Sequence, residues 1–177
     1  VTVRRALREL EAEGLVEVRH GVGTFVADWS RRYDHPTLGS FQAELAARSL
    51  GSETRLLGRL RGVRQPEAAE ALGRDAAHPL ACAHRLRRVE GLPFAVQYSY
   101  LPQELAGVID GLEETGSLYD LLRRVTGRLP VRAEERLRVE PLPAEASRVL
   151  EVAPGSQGLW SRRLTRDSLG SPLVYDE

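Results

Sequence analysis

The opening stretch, VTVRRALRELEAEGLVEVRHGVGTFVAD, restricts this chain more than any other segment. Val3, Ala6, Leu7 and Leu10 recur at helical spacing and define one apolar face. Arg4, Arg5 and Arg8 fall on the opposite face, with Thr2 beside them. Gly14 stops the helix, and Leu15-Val16 begins a strand. His20-Gly21-Val22-Gly23 reverses the chain, and Thr24-Phe25-Val26 returns it. Helix, stop, strand and turn chemistry all agree, which an unrelated surface helix and hairpin have no reason to do.

A helix with an arginine face followed by a hairpin is the recognition half of a winged helix-turn-helix. The helix suits the major groove, and a narrow hairpin tip can touch the neighbouring backbone or minor groove. The stretch closely resembles the GntR family of bacterial transcription regulators. The carriers are Thr2-Val3-Arg4, Ala6-Leu7, Leu10, Glu13-Gly14-Leu15-Val16, Gly21 and Gly23-Thr24-Phe25-Val26. The resemblance implies that Thr2 and Arg4 face DNA and that His20 and Gly21 form the wing tip. Arg5 is a plausible addition, while Gly23 and Thr24 more simply shape the hairpin. Arg8 has Glu11 three residues on as a helical partner.

Bulk charge adds nothing to that reading. The 177 residues carry 25 basic and 25 acidic side chains. Within residues 1–28, four arginines meet five acids. DNA binding would therefore rest on a local arginine face. Hydrophobic content of 42% and charged content of 28% suit a globular chain large enough for a medium domain and a small one. No long apolar run or secretory signal is present, so a cytoplasmic location without membrane contact is expected. Cys82 stands alone in an apolar strand and reads as a small buried hydrophobe. The four histidines (His20, His35, His78, His84) lack metal-ligand spacing, and no cofactor is expected.

The chain begins without Met, inside what reads as a recognition helix, and stops at Tyr175-Asp176-Glu177, where a sheet domain is expected to run on. The first two helices of the DNA-binding fold, with the family's Ser-Arg, are expected upstream. The 177-residue chain by itself is therefore expected to bind DNA poorly.

Residues 1–27 read as the winged-helix portion and 28–38 as a linker containing Pro36. A second domain is expected over 39–177, opening with a short helix at Ser40-Phe41-Gln42-Ala43-Glu44-Leu45. Strands are predicted at 54–64, 80–90, 93–101, 130–140, 158–166 and 172–175, and helices at 66–72, 118–125 and 144–150. Ser117 and Asp120 form a capping-box-like pair ahead of the 118–125 helix. An internal echo runs through this half. Glu67-Ala68-x-x-x-Leu72 returns as Glu145-Ala146-x-x-x-Leu150, Arg85-Leu86-Arg87-Arg88 as Arg163-Leu164-Thr165-Arg166, and Gly91-Leu92-Pro93 as Gly170-Ser171-Pro172. Two such helix–strand–turn–strand units predict an α+β domain with an antiparallel sheet.

This half resembles the UTRA domain, the effector-binding half of HutC-type GntR regulators. Tyr98-Ser99-Tyr100-Leu101-Pro102, Ser117-Leu118-Tyr119-Asp120-Leu121-Leu122 and Asp167-x-x-Gly170-x-Pro172 carry it beside the echo motifs. The implied fold is chorismate-lyase-like, and the implied role is small-molecule sensing that modulates operator binding by a homodimer. Beside the resemblance, Arg85 and Arg87 lie two apart on a strand and share a face. Two guanidiniums there suit a carboxylate or phosphate. Ser117 opens a helix, whose free N–H groups favour an anion. The resemblance implies that Arg85, Arg87, Ser117 and Tyr119 surround the ligand, with a position near Ser40. The plainer alternatives are a solvated arginine face paired with Glu134, Glu135 or Glu140, a simple cap at Ser117, and a core Tyr119. One departure is Val174, which stands where amino-sugar-phosphate sensors of this type tend to carry a Glu. A chorismate-lyase-like enzyme and a ligand-free dimerisation module are the competing functions.

Overall fold

The computed structural model describes residues 2–12, 16–19, 21–26, 31–34, 50–112 and 116–177. His20, Ser40 and the helix expected from Ser40 lie outside the described residues. The chain divides into two units, Val1–Arg31 and Arg32–Glu177.

The first unit holds α1 (Thr2–Ala12) and the hairpin of β1 (Val16–Arg19) and β2 (Gly23–Val26). The register pairs Val16 with Val26 and Arg19 with Gly23. The turn closes through the Val22 N–H donating to Arg19 O at 3.0 Å. Gly21 takes a φ of +76°, which an L side chain adopts only with strain, so the tip requires glycine. Arg19 lies over the Phe25 ring at 5.2 Å, a cation–π contact along the hairpin.

The second unit is built on an antiparallel sheet. Its strands are β3 (Arg31–Asp34), β4 (Ser52–Val63), β5 (Leu80–Val89), β6 (Leu92–Pro102), β7 (Pro130–Pro141), β8 (Gln157–Asp167) and β9 (Pro172–Asp176). The order across the sheet is β3-β7-β8-β9-β6-β5-β4. The expected α+β class with an antiparallel sheet is what the structure shows. Residues 31–34, read from sequence as linker, form β3 beside β7. The helices are α2 (Pro66–Ala71), α3 (Ala106–Asp110), α4 (Leu118–Thr126) and α5 (Ala144–Val149), with a 3-10 turn at Gln103–Leu105. No helix among the described residues is long and apolar enough to cross a membrane.

Alternation along the strands sorts side chains to the two faces of the sheet. On one face Ala81, Ala83, Leu101 and Val174 pack against Val108 and Ile109 of α3 and Leu118, Leu121 and Leu122 of α4. On the other, Leu80, Cys82, Tyr100 and Tyr175 pack against Ala68, Ala69 and Leu72 at α2. Cys82 is fully buried, and burial pushes its thiol pKa up to about 12, so it serves as packing. The internal echo is realised as two hairpins, β5–β6 behind α2 and β8–β9 behind α5.

The helix α4 is specified locally. The Ser117 hydroxyl accepts the Asp120 N–H at 3.3 Å and caps the helix. Leu118, Leu121 and Leu122 form the buried stripe, and Gly127 closes the helix at φ +68° with its N–H on Arg123 O at 2.9 Å. Removing the fully buried Leu122 side chain to Ala would cost about 2–5 kcal/mol.

Candidate functional site

The polar centre of the second unit lies on the sheet face that α3 and α4 cover. Arg85 and Arg87 project there from β5, and both are buried, at 2% and 8% exposure. That excludes a solvated arginine face. Their partners are neutral groups of the sheet. Arg85 Nη2 donates to Ser99 Oγ at 2.8 Å, and Arg87 Nε donates to Gln97 Oε1 at 3.0 Å. Arg87 Nη1 donates to Thr54 Oγ1 of β4 at 2.5 Å.

Both chains of bonds end on Asp176. The Ser99 hydroxyl donates to Asp176 Oδ1, and Gln97 Nε2 donates to the same oxygen at 2.8 Å. Asp176 sits on β9 directly across from Ser99 on one side and Arg163 on the other. Cross-strand partners share a face, so Arg163 joins Arg85 and Arg87. Beyond Arg163 lies Glu135 of β7, whose Oε1 accepts the Ser161 hydroxyl.

Arg85, Arg87 and Arg163 thus lie on the sheet face that carries Asp176. Arg85 Nε and Arg163 Nε and Nη2 are buried and have no hydrogen-bond partner among the described residues. An unmatched buried guanidinium is costly, because water has been removed and nothing replaces it. Burial lowers the Arg85 pKa. It lowers Arg87 to about 9, with the neighbouring Arg85 charge adding to the effect and Asp176 opposing it. Tyr119, from the first turn of α4, closes the cluster. Its hydroxyl shares a 2.9 Å hydrogen bond with the fully buried Thr165. Burial and the Asp176 charge raise the Tyr119 pKa to about 12, while Arg163 and Arg85 pull it down. Tyr119 is therefore both packed on the core and in the electrostatic range of the arginines.

Sequence reasoning named Arg85, Arg87 and Tyr119 but passed over Arg163, Asp176, Gln97 and Thr54. A signal for two of them was available. Arg163 is the echo of Arg85, and Asp176 follows Gly170 by the interval at which Gln97 follows Gly91. The departure noted at Val174 changes meaning here. Val174 is fully buried among Leu118, Leu121 and Leu173, so its position belongs to the core. The carboxylate on the arginine face is Asp176, two residues on.

In the first unit, Arg4 and Arg8 are exposed on α1. Arg5 Nε pairs with Glu9 at 2.9 Å, with both side chains largely exposed. Such a surface pair contributes little and yields readily to a phosphate. Gly21, at the hairpin turn, has nothing within 4 Å of where a Cβ would stand, so the tip is open. The side chain of Thr2 lies outside the described residues.

Comparison with known proteins follows the same division. The UTRA domain family matches residues 47–177, and the family of bacterial regulatory proteins, gntR family, matches residues 1–26. The HTH-type transcriptional repressor NagR of Bacillus subtilis (strain 168) is 30% identical over 168 residues, covering 93% of this chain and 68% of the relative. The protein named "Probable transcriptional regulator PhnF" of Escherichia coli (strain K12) is 30% identical over 178 residues, covering 98% and 73%. The crystal structure of PhnF from Mycobacterium smegmatis superposes with a TM-score of 0.71 at 23% identity, over 99% of this chain and 77% of that one. That likeness is one of fold.

Proposed function

This chain belongs to the UTRA-domain family of gntR-type transcriptional regulators, and from that premise we propose that its arginine cluster is the effector site and takes a small anionic metabolite bearing a carboxylate or phosphate. The observation that carries the reading is the set of buried guanidinium groups, Arg85 Nε and Arg163 Nε and Nη2, that the fold leaves without partners. An anion supplies what they lack. Arg85, Arg87 and Arg163 hold it by charge-assisted hydrogen bonds, and Asp176 limits how much negative charge the site tolerates. Ser117 and Tyr119 place the amino end of α4 at the same site, where its N–H groups favour an anion. Ligand binding then ties α4 to β5 and β8. The regulated molecule in this reading is a cytoplasmic homodimer on operator DNA. Thr2, Arg4, Arg5, His20 and Gly21 are the proposed DNA contacts, and Ser40 a further effector contact. The role is regulatory rather than catalytic, as the relatives' names support.

The test is thermal unfolding against a panel of phosphate monoesters and carboxylates, with neutral sugars as controls. A ligand at about 100 times its Kd adds roughly 2.7 kcal/mol. The expected result is a shift with one anionic class that disappears in the Arg85→Met/Arg87→Met double variant. Absence of a shift with every anion would sink the assignment.

A further inference from the structure

The hairpin of β7 and β8 sets arginine against arginine. Its register places Arg132 opposite Arg166, Arg136 opposite Arg162, and Arg138 opposite Trp160. Cross-strand partners share a face, and so do residues two apart on one strand, so these five arginines lie together. Theirs is the face of α2, turned away from Arg85 and Arg163. Leu164, midway between Arg162 and Arg166, packs with Tyr100, Tyr175 and the alanines of α2, and Arg162 reaches Glu67 of α2 at 3.0 Å.

Opposed like charges weaken an antiparallel ladder. Better-matched partners are close by. Glu134 and Glu140 belong to the same face, yet they stand opposite Leu164 and Gly158. Their ion pairs with neighbouring arginines are loose: Arg166 Nε lies 3.8 Å from Glu134, and Arg138 Nη1 lies 3.9 Å from Glu140. Arg136 makes no ion pair among the described residues, and Arg132, Arg136 and Arg138 are exposed. A face that only meets water mixes its signs, whereas this one gathers a single sign on a chain whose net charge is zero. From Arg132 to Arg138 the strand runs about 20 Å, with neighbouring arginines about 5 Å apart across the hairpin. Duplex DNA of that length carries on the order of ten phosphates.

We propose that the arginine face of β7 and β8 is a second contact for duplex DNA, one that holds the sugar–phosphate backbone and reads no bases. Charge and company identify the occupant. The chain belongs to a family of DNA-binding regulators, so its working state has a duplex held by the same polypeptide. A second contact on a tethered partner works at high effective concentration, so individually weak phosphate bonds count. Guanidinium forks match phosphate oxygens. Contacts of this kind fix orientation and add affinity that falls steeply with salt. The inference is independent of the anion site on β5.

The experiment is fluorescence anisotropy of a labelled duplex of arbitrary sequence, titrated with the 177-residue chain from low salt upward. The parent for all variants carries Arg4→Gln/Arg5→Gln, which takes two cations of α1 out of the measurement. Added to it, Arg136→Gln/Arg138→Gln is expected to weaken low-salt binding about tenfold and to lessen the slope of log affinity against log salt by about 2. Arg136→Lys/Arg138→Lys keeps the charges and is expected to keep the slope. Both positions are exposed, so an unchanged Tm is expected in either variant. Equal affinity and slope in the parent and the glutamine variant would overturn the proposal, as would an equal loss in the lysine variant or no low-salt binding by the parent. Competition by poly-glutamate as strong as that by unlabelled duplex would assign the face to an acidic protein instead. Sedimentation of the free chain covers a further occupant: self-association that the glutamine variant abolishes would assign the face to a second copy.

Discussion

Arg85 and Asp176 are joined through a single hydroxyl. Ser99 Oγ accepts from Arg85 Nη2 at 2.8 Å and donates its own proton to Asp176 Oδ1. The carboxylate is thus a counter-charge held at one remove. It tempers the arginines without occupying the donor that Arg85 keeps on Nε.

If the arginines serve a ligand rather than the fold, their loss should not unfold the protein. Replacing a buried ion cluster by apolar side chains of similar volume is often neutral or stabilising, provided the counter-charge goes with it. The Arg85→Met/Arg87→Met/Asp176→Leu variant is expected to keep or raise the ligand-free Tm while losing the anion-induced shift. A large drop in ligand-free Tm would make the cluster structural.

Asp176→Asn keeps the size and the acceptor oxygen but removes the charge. Anion affinity is expected to rise by roughly tenfold, as one repulsive charge in a partly screened site leaves. Ligand-free stability is expected to fall by about 1–3 kcal/mol as the guanidiniums lose their counter-charge. Calorimetric titration and chemical denaturation read the two effects separately.

Arg87 gives the site a pH dependence. Its pKa in the folded chain lies at about 9, below the ordinary arginine value of 12.5. Between those values the unfolded chain binds the extra proton, so this residue makes ligand-free stability rise with pH across that window. Anion binding goes the other way, because it needs the charge. Affinity is expected to fall as pH rises through about 9, and the fall should vanish in Arg87→Gln. Tyr119, raised to about 12, stays neutral over the same range and does not confuse the reading.

Tyr119→Phe removes the partner of the fully buried Thr165 hydroxyl. The expected cost is about 1–2 kcal/mol, seen as a lower denaturation midpoint at an unchanged slope. An unaltered midpoint would mean that Thr165 finds another hydrogen-bond partner.

Arg4→Ala in a chain that binds its operator is expected to cost about 1–3 kcal/mol of specific affinity if Arg4 reads a base, and to narrow the gap to non-specific DNA. A uniform loss on all sequences with a shallower salt dependence would make it a phosphate contact. The exposed position of Arg4 on α1 predicts no change in Tm.

Local order in this protein was legible because its causes are local. Ser117 and Gly127 bracket α4, Pro66 opens α2, and Gly21 marks the wing turn, each by backbone chemistry that acts within a few residues. The repeated Arg-Leu pair and Gly-x-Pro turns determined two hairpins and an antiparallel sheet. Partnership across the sheet was not legible. The strand order puts β9, last in sequence, between β6 and β8, and only that placement brings Asp176 against Ser99 and Arg163. Val174 and Asp176 share one face of β9; their places along the strand set Val174 against the leucines of α4 and Asp176 beside Ser99 and Gln97. Residues 31–34 show the same limit, since nothing in their composition reveals that β7 offers them an edge. Composition and spacing act along the chain, whereas burial and charge balance arise from contacts between segments far apart in sequence, and so were decided by the tertiary structure alone.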